Sequence, residues 1–352
     1  ILNTNALKSA DFFTGAFPAE FGNATAAVFD IYLRSGNSNR HERTIQLNAF
    51  SGLEAMLEGP LSKKRTGSSY LFGYRYSFAQ IAQSIGLNVG TDAVPKYQDW
   101  VYMIDLGKKG KSHFSFYGMG GTSEIEFIGK DVDTTDFYAR QDQDAYSSST
   151  SSVGGIKHNF DINKRSFIRT NLSFSYTNND FDGYQYPTPV PPYDERWKVV
   201  ESRNQTSALR FHSFYNVKQS AQLSWRAGFM AELTDIETIL EEREGKTADD
   251  PFETRRDFDG NFTLLQSYVQ TRYKPFEKLT ISAGLNGMML SQNENTHLSP
   301  RASFNYQAGR NSSIYFAYGN HAQMQPLPVY LMQGTGTDGK VDQTNRELEF
   351  TK

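Results

Sequence analysis

Residues 221–233 read Ala-Gln-Leu-Ser-Trp-Arg-Ala-Gly-Phe-Met-Ala-Glu-Leu, and their alternation decides the fold. Leu223, Trp225, Ala227, Phe229, Ala231 and Leu233 fall on one face of an extended chain, whereas Gln222, Ser224, Arg226, Gly228 and Glu232 fall on the other. Side chains of a strand point to opposite faces with a period of two, so this segment is a strand with one apolar and one polar face. The period recurs. Ile168, Thr170, Leu172, Phe174 and Tyr176 alternate with Arg169, Asn171, Ser173 and Ser175. Leu209, Phe211, Tyr215 and Val217 alternate with Arg210, His212 and Asn216, and Leu279, Ile281, Ala283 and Leu285 with Thr280, Ser282, Gly284 and Asn286.

A soluble sandwich shows the same alternation with its apolar face packed inward. Strand length separates the two architectures. Sandwich strands run to about 5–6 residues, whereas a strand crossing a bilayer at a tilt needs about 9–11. The periodic segments here are of the longer kind, about 10–15 residues. They are joined in turn by short and long connections. The short ones lie at 62–67, 108–111, 163–165, 218–220, 275–278 and 308–311; the long ones are expected at 81–99, 129–149, 181–204, 236–261, 292–300 and 323–345. Outer-membrane barrels have this asymmetry, because successive hairpins return on opposite sides of the membrane. The count is about thirteen complete strands, with the start of another at 346–352. The expected fold is an all-β, up-and-down antiparallel transmembrane β-barrel, of which the chain holds about 13–14 strands.

Composition agrees. In 352 residues there are 20 Tyr and 26 Phe, enough for the aromatic girdles of such a barrel. The mean hydropathy is −0.58. No stretch approaches the roughly 18–20 apolar residues of a spanning helix, which excludes a helical membrane protein. With no Cys, disulfide scaffolds, Cys-based zinc sites and thiol nucleophiles are excluded. The net charge of −3 carries no basic footprint, so no nucleic-acid partner is expected. The first ten residues have no charged start followed by an apolar core, so the N-terminus reads as internal to a longer precursor.

Residues 1–42 do not follow the meander. Phe17-Pro18-Ala19-Glu20-Phe21-Gly22-Asn23 leads through small residues to Val28-Phe29-Asp30-Ile31-Tyr32-Leu33-Arg34-Ser35-Gly36. This segment resembles the close of the plug domain in TonB-dependent outer-membrane receptors. There, a proline, an acidic residue, an aromatic-Gly pair and a short strand ending in a basic residue and Gly precede the first barrel strand. Later segments resemble the same family in the same order: Leu57-Glu58-Gly59-Pro60-Leu61 closing the second barrel strand, Tyr74-Arg75-Tyr76-Ser77 in the third, and Leu298-Ser299-Pro300-Arg301-Ala302-Ser303 ahead of the twelfth. The likeness spans essentially the whole chain. It departs from the family at Ala26 and Ala27, where two glycines are usual, and at Asp30, where Asn is common.

The resemblance implies two regions, the C-terminal end of a plug at 1–42 and the N-terminal part of a transmembrane barrel at 43–352. Plugged transporters reach about 22 strands, so about eight are expected to come from the rest of the protein or another chain. It implies import of a scarce ligand, an iron chelate, a cobalamin, a carbohydrate or a peptide, by plug rearrangement. The implied partners are outer-membrane lipid and the TonB energy-coupling complex, the latter acting through N-terminal parts absent from these residues. No enzyme activity and no cofactor are expected.

Two candidate sites follow from the residues. The stretch from Tyr184 through Tyr186 and four prolines to Tyr193 and Trp197 offers stiff amphipathic surface, either to a ligand or to neighbouring loops over the barrel mouth. Arg169, Arg210 and Arg226 fall on the polar face, where they line a path for an anionic substrate or pair with an acidic plug. The six His are scattered without ligand spacing. The alternate carboxylates at 131, 133 and 136 lack the Gly and terminal Glu of a hand-type calcium loop and read as a solvated loop. Gly118-Met119-Gly120-Gly121 sits mid-strand with no following helix, as glycines do where backbones approach closely.

Rival architectures make distinct demands. An unplugged channel would lack a segment folded into the lumen, an outer-membrane enzyme needs convergent acid, base or nucleophile at the strand ends, and a soluble carbohydrate-binding β-protein would not present an apolar outer band. We therefore expect the protein to be β-rich and monodisperse in mild detergent and to aggregate in plain buffer. Sedimentation and far-UV dichroism in both solvents check this, and a monodisperse species in buffer would favour the soluble fold.

Overall fold

The computed structural model describes residues 3–48, 52–62, 65–77, 95–131, 140–187, 195–245, 247–335, 341–343 and 345–352. Two strands come first and form their own antiparallel sheet, β1 at Leu7–Thr14 and β2 at Ala27–Leu33. Thirteen strands then follow in one meander. They are β3 (Glu42–Asn48), β4 (Gly52–Pro60), β5 (Ser68–Tyr76), β6 (Lys96–Lys109), β7 (Ser112–Phe127), β8 (Gln143–Asn163) and β9 (Ser166–Gln185). The series continues with β10 (Trp197–Lys218), β11 (Leu223–Arg243), β12 (Phe252–Phe276), β13 (Leu279–Leu290), β14 (Asn295–Gln307) and β15 (Ser313–Gly319). Each pairs with its neighbours in sequence, so the sheet order is the chain order, and β3 and β15 are its two edges. The sheet is open and forms a partial barrel.

Register places the apolar sets of neighbouring strands on one surface. Leu209 lies opposite Leu233, Phe211 opposite Ala231, Tyr215 opposite Ala227 and Val217 opposite Trp225. Across the next ladders Phe174 lies opposite Leu209, and Val269 opposite both Ala227 and Leu285. Leu172, Phe174, Leu209, Phe211, Phe229, Leu233, Val269, Leu285 and Phe304 are all exposed, an apolar outer surface of the kind hydrocarbon covers. The other surface carries Arg210 opposite Glu232, joined at 2.7 Å, and Asn216 opposite Arg226. Small residues on this face admit aromatic rings: a Cβ at Gly228 would stand 2.5 Å from the Tyr268 ring. The glycines at 118–121 lie within β7, where a Cβ on Gly118 would stand 2.6 Å from Tyr102.

The strands differ from the sequence expectation in length. β8 to β12 run to 21, 20, 22, 21 and 25 residues, so much of what read as loop at 181–204 and 236–261 is ladder. Residues 292–300 also lie largely in β14, which contains the Leu298–Ser303 motif instead of following it. The reason is visible on β11. Its outward apolar series stops at Leu233, and the same face continues with exposed Asp235 and Glu237, opposite Asn261 and Asp259. Hydrogen-bonded hairpins therefore continue beyond the apolar band, wet on the outside, and their charged composition imitates a loop.

The second difference concerns residues 320–352. They do not begin another wall strand at 346–352. The chain leaves the wall after β15, forms a short helix α1 (Leu327–Tyr330) and a small pair β16 (Gln333–Thr335) and β17 (Val341–Gln343), and returns to bridge Thr351 to Gln323. Ala322, Tyr330, Leu331 and Phe350 are buried against Ile236, Phe262, Leu264, Met288 and Leu290. Those five wall residues share the polar-facing side of β11 to β13, so the segment fills an apolar patch inside the sheet. Burying four apolar side chains there holds the segment more firmly than one marginal edge strand would.

The outer band yields a depth-dependent expectation. Phe229→Arg, midway along the apolar face of β11, should cost about 2–4 kcal/mol, while Asp235→Arg just past its end should cost about 0–1. Urea unfolding in lipid vesicles measures both; equal costs would place the band elsewhere.

Candidate functional site

The concave side of the sheet holds the first segment of the chain through side chains. Among the described residues no backbone hydrogen bond joins residues 3–36 to the wall. The turn between β1 and β2 is seated on β11 to β14, with Phe17 and Ala19 fully buried. Arg301 of β14 stacks over the Phe17 ring at 4.7 Å, and its Nη1 donates to the carbonyls of Phe17, Pro18 and Phe21 at 3.2, 2.7 and 2.7 Å. Asn286 Nδ2 donates to the Ala19 carbonyl at 2.8 Å. Glu20 forms a short ion pair with Arg226 and accepts from Gln270 Nε2 at 3.1 Å, while its own N–H donates to Gln270 Oε1.

A second seat lies where the segment passes into β3. Arg34 grips Glu58 through both Nη atoms, at 2.7 and 2.8 Å, and the Asn37 N–H donates to the same carboxylate. A paired fork of this kind fixes orientation as well as charge. Ser35 Oγ donates to Asp105, and Asn5 Nδ2 to Glu54 at 2.8 Å. Gly36 lies so near β5 that a Cβ would stand 1.9 Å from the Tyr70 carbonyl oxygen, and only glycine fits. The fold-back segment adds a third contact: His321 stacks on Phe17 with centroids 4.1 Å apart, and the Met324 N–H donates to Asn23 Oδ1 at 2.8 Å.

The three arginines singled out from the sequence share the inner face but have different surroundings. Arg226 holds Glu20, Arg210 holds Glu232 within the wall, and Arg169 lies beside the Phe167 and Phe214 rings with its Nε donating to Asn159. The aromatics at the rim are engaged with one another. Tyr184 shares the outward side of β9 with Phe174 and lies under Arg196 at 4.5 Å. Tyr186 is buried, and its hydroxyl donates to Asp144 at 2.7 Å; burial and that carboxylate push its pKa up to about 12. Arg196 pairs with the same Asp144, whose other oxygen accepts from the Gly129 N–H. Trp197 has its indole Nε1 buried without a partner, and Tyr193 lies outside the described residues, as does most of the acidic loop after residue 131. Among the described residues no group of three His, Asp or Glu gathers as metal ligands.

Sequence reasoning did not identify the seat itself. Glu20 and Arg301 were visible inside the quoted motifs, yet nothing local pairs Glu20 with Arg226 or Arg301 with Phe17. Asn286 and Gln270 gave no signal beyond their place on the polar face.

No family profile and no curated protein sequence matches the chain. Solved structures do. The chain is similar to the siderophore receptor PiuA from Acinetobacter baumannii, with a TM-score of 0.65 and 12% identity over 90% of this chain and 54% of that one. It is similar to FpvA of P. aeruginosa, solved with bound heterologous pyoverdine, with a TM-score of 0.67 and 10% identity over 90% and 46%. The outer membrane transporter YddB from Escherichia coli gives 0.60 and 12% identity over 94% and 50%. The chain thus spans about half the length of the structures it matches. At these identities the likeness is one of fold, and the fold is that of TonB-dependent outer-membrane receptors.

Removing the guanidinium that caps three carbonyls should loosen the turn. Arg301→Ala is expected to cost about 3 kcal/mol, from lost charge-assisted bonds and carbonyls left without donors. It should raise hydrogen exchange at residues 17–23 while the wall ladders stay protected. Unchanged exchange there would mean that the seat is made by other contacts.

Proposed function

We propose that the chain is part of a TonB-dependent receptor of the bacterial outer membrane that imports a scarce ligand by rearranging a plug. Residues 1–42 are read as the end of that plug and residues 43–352 as wall. The observation that carries the reading is the seating of residues 15–25 inside the sheet by side-chain bonds alone, to Arg226, Gln270, Asn286 and Arg301. A segment so held can leave without opening a single wall ladder. Each bond is individually modest, so a pull applied to the chain can break them in turn.

The fold supports a transport receptor and gives no support to an enzyme. The solved neighbours include siderophore receptors and a copper transporter, which favours a metal chelate within the wider set of cobalamin, carbohydrate and peptide ligands. The energy-coupling complex, lipid and further wall strands are the proposed partners. The unplugged-channel alternative loses ground because a segment is packed in the lumen, and the soluble alternative because apolar side chains cover the outside.

Cells producing or lacking the protein would be given radiolabelled ferric chelates, cobalamin, oligosaccharides and peptides, with and without a protonophore. One of these ligands should bind in both conditions and enter only in energised producing cells. Entry that ignores the protonophore would replace the receptor reading with a channel.

A further inference from the structure

We propose that the inner wall carries an oxyanion-binding station on β8 and β9, formed by Lys157, Arg169 and Asn171, in the cavity between the wall and β2. The proposal deepens the import reading, because it gives the ligand an anionic character and a place to pause beside the plug segment. It rests on that reading for its role in import. The station itself can be tested without transport.

The cavity has a volume of about 710 Å³ and is lined by Tyr32 and Asp30 from the first segment and by Asp105, Lys157, Arg169 and Asn171 from the wall. Its carboxylates are already engaged. Asp105 accepts from Ser35, His113 and Ser115; Glu20 holds Arg226; Asp30 accepts from the Tyr32 hydroxyl. The cations are not. Lys157 has no hydrogen-bond or ion-pair partner among the described residues, and Arg169 spends only Nε, on Asn159 at 2.7 Å. Lys8 of β1 lines the same space.

Register brings these groups together. Lys157 lies opposite Asn171 and Arg169 opposite Asn159, so the two cations are diagonal neighbours on adjacent strands, about 7–8 Å apart at the backbone. That spacing lets an ammonium and a guanidinium converge on one polyatomic anion. Arg169 is held flat beside Phe167 and Phe214, at 5.8 and 5.5 Å, which steadies its unspent Nη atoms. Asn171 Oδ1 accepts from the Tyr117 hydroxyl at 3.0 Å, leaving Nδ2 as a donor. Two half-buried like charges without counter-ions are costly to keep. A carboxylate or phosphate would repay that cost through charge-assisted bonds, bidentate at the guanidinium.

Calorimetry on the detergent-purified protein, titrated separately with inorganic pyrophosphate and with citrate, tests the station and distinguishes phosphate from carboxylate chemistry. At least one should bind. Replacing the cations in the K157Q/R169Q double variant should weaken it by about tenfold or more, the size of one or two lost charge-assisted bonds. Arg210→Gln, whose partner is Glu232 within the wall, should leave the affinity unchanged. Heat-modified gel migration verifies that each variant is folded. If neither anion binds, or if the double variant binds as well as the unaltered protein, the station is refuted. Binding with no uptake of any ligand would leave the station standing and overturn the import reading.

Discussion

A peptide group in hydrocarbon has no water to bond with, so each N–H and C=O in the apolar band must find a partner in the chain. The meander from β3 to β15 answers this by pairing every strand with its neighbour in sequence. The rest follows from that requirement. Because strand side chains alternate, a paired sheet facing lipid on one side must put its polar half on the other, and that half becomes the lining of a lumen. The seat for residues 15–25, the Arg210–Glu232 pair and the apolar patch that receives residues 320–352 all occupy this inner surface. None of them contributes to the ladder.

The inner surface is divided by chemistry. Around Arg226, Gln270, Asn286 and Arg301 it is polar and grips a turn through backbone carbonyls and one carboxylate. Around Phe262, Leu264, Met288 and Leu290 it is apolar and receives Tyr330, Leu331 and Phe350. His321 and Met324 touch both, stacking on Phe17 and bonding Asn23. The fold-back segment and the plug-like segment therefore form one continuous packing inside the wall.

The period of two was legible because it is local: Leu223 to Leu233 carry the outer face whatever else the chain does. The short hairpins and the sense of Arg169, Arg210 and Arg226 were legible for the same reason. The length of the strands was not. Past Leu233 both faces of β11 are wet, so Asp235 and Glu237 remove the apolar signal while the hydrogen bonds continue. The fold-back was hidden as well, since Tyr330 and Phe350 bury against wall residues far away in sequence and follow no period. Most of the seat lies beyond local reading. Glu20 meets Arg226, and Phe17 meets Arg301, across most of the chain, and a composition of Gln, Asn and Arg on a polar face does not say which of them will hold a partner.

The two ways of holding chain together in this molecule have different mechanical characters. Wall strands are zipped by ladders of up to about two dozen residues, whereas residues 3–36 adhere through scattered side-chain clasps. Under tension the molecule has a built-in fault line. The inner segment peels away clasp by clasp at low force, and the shell around it, loaded along its strands, keeps its shape throughout.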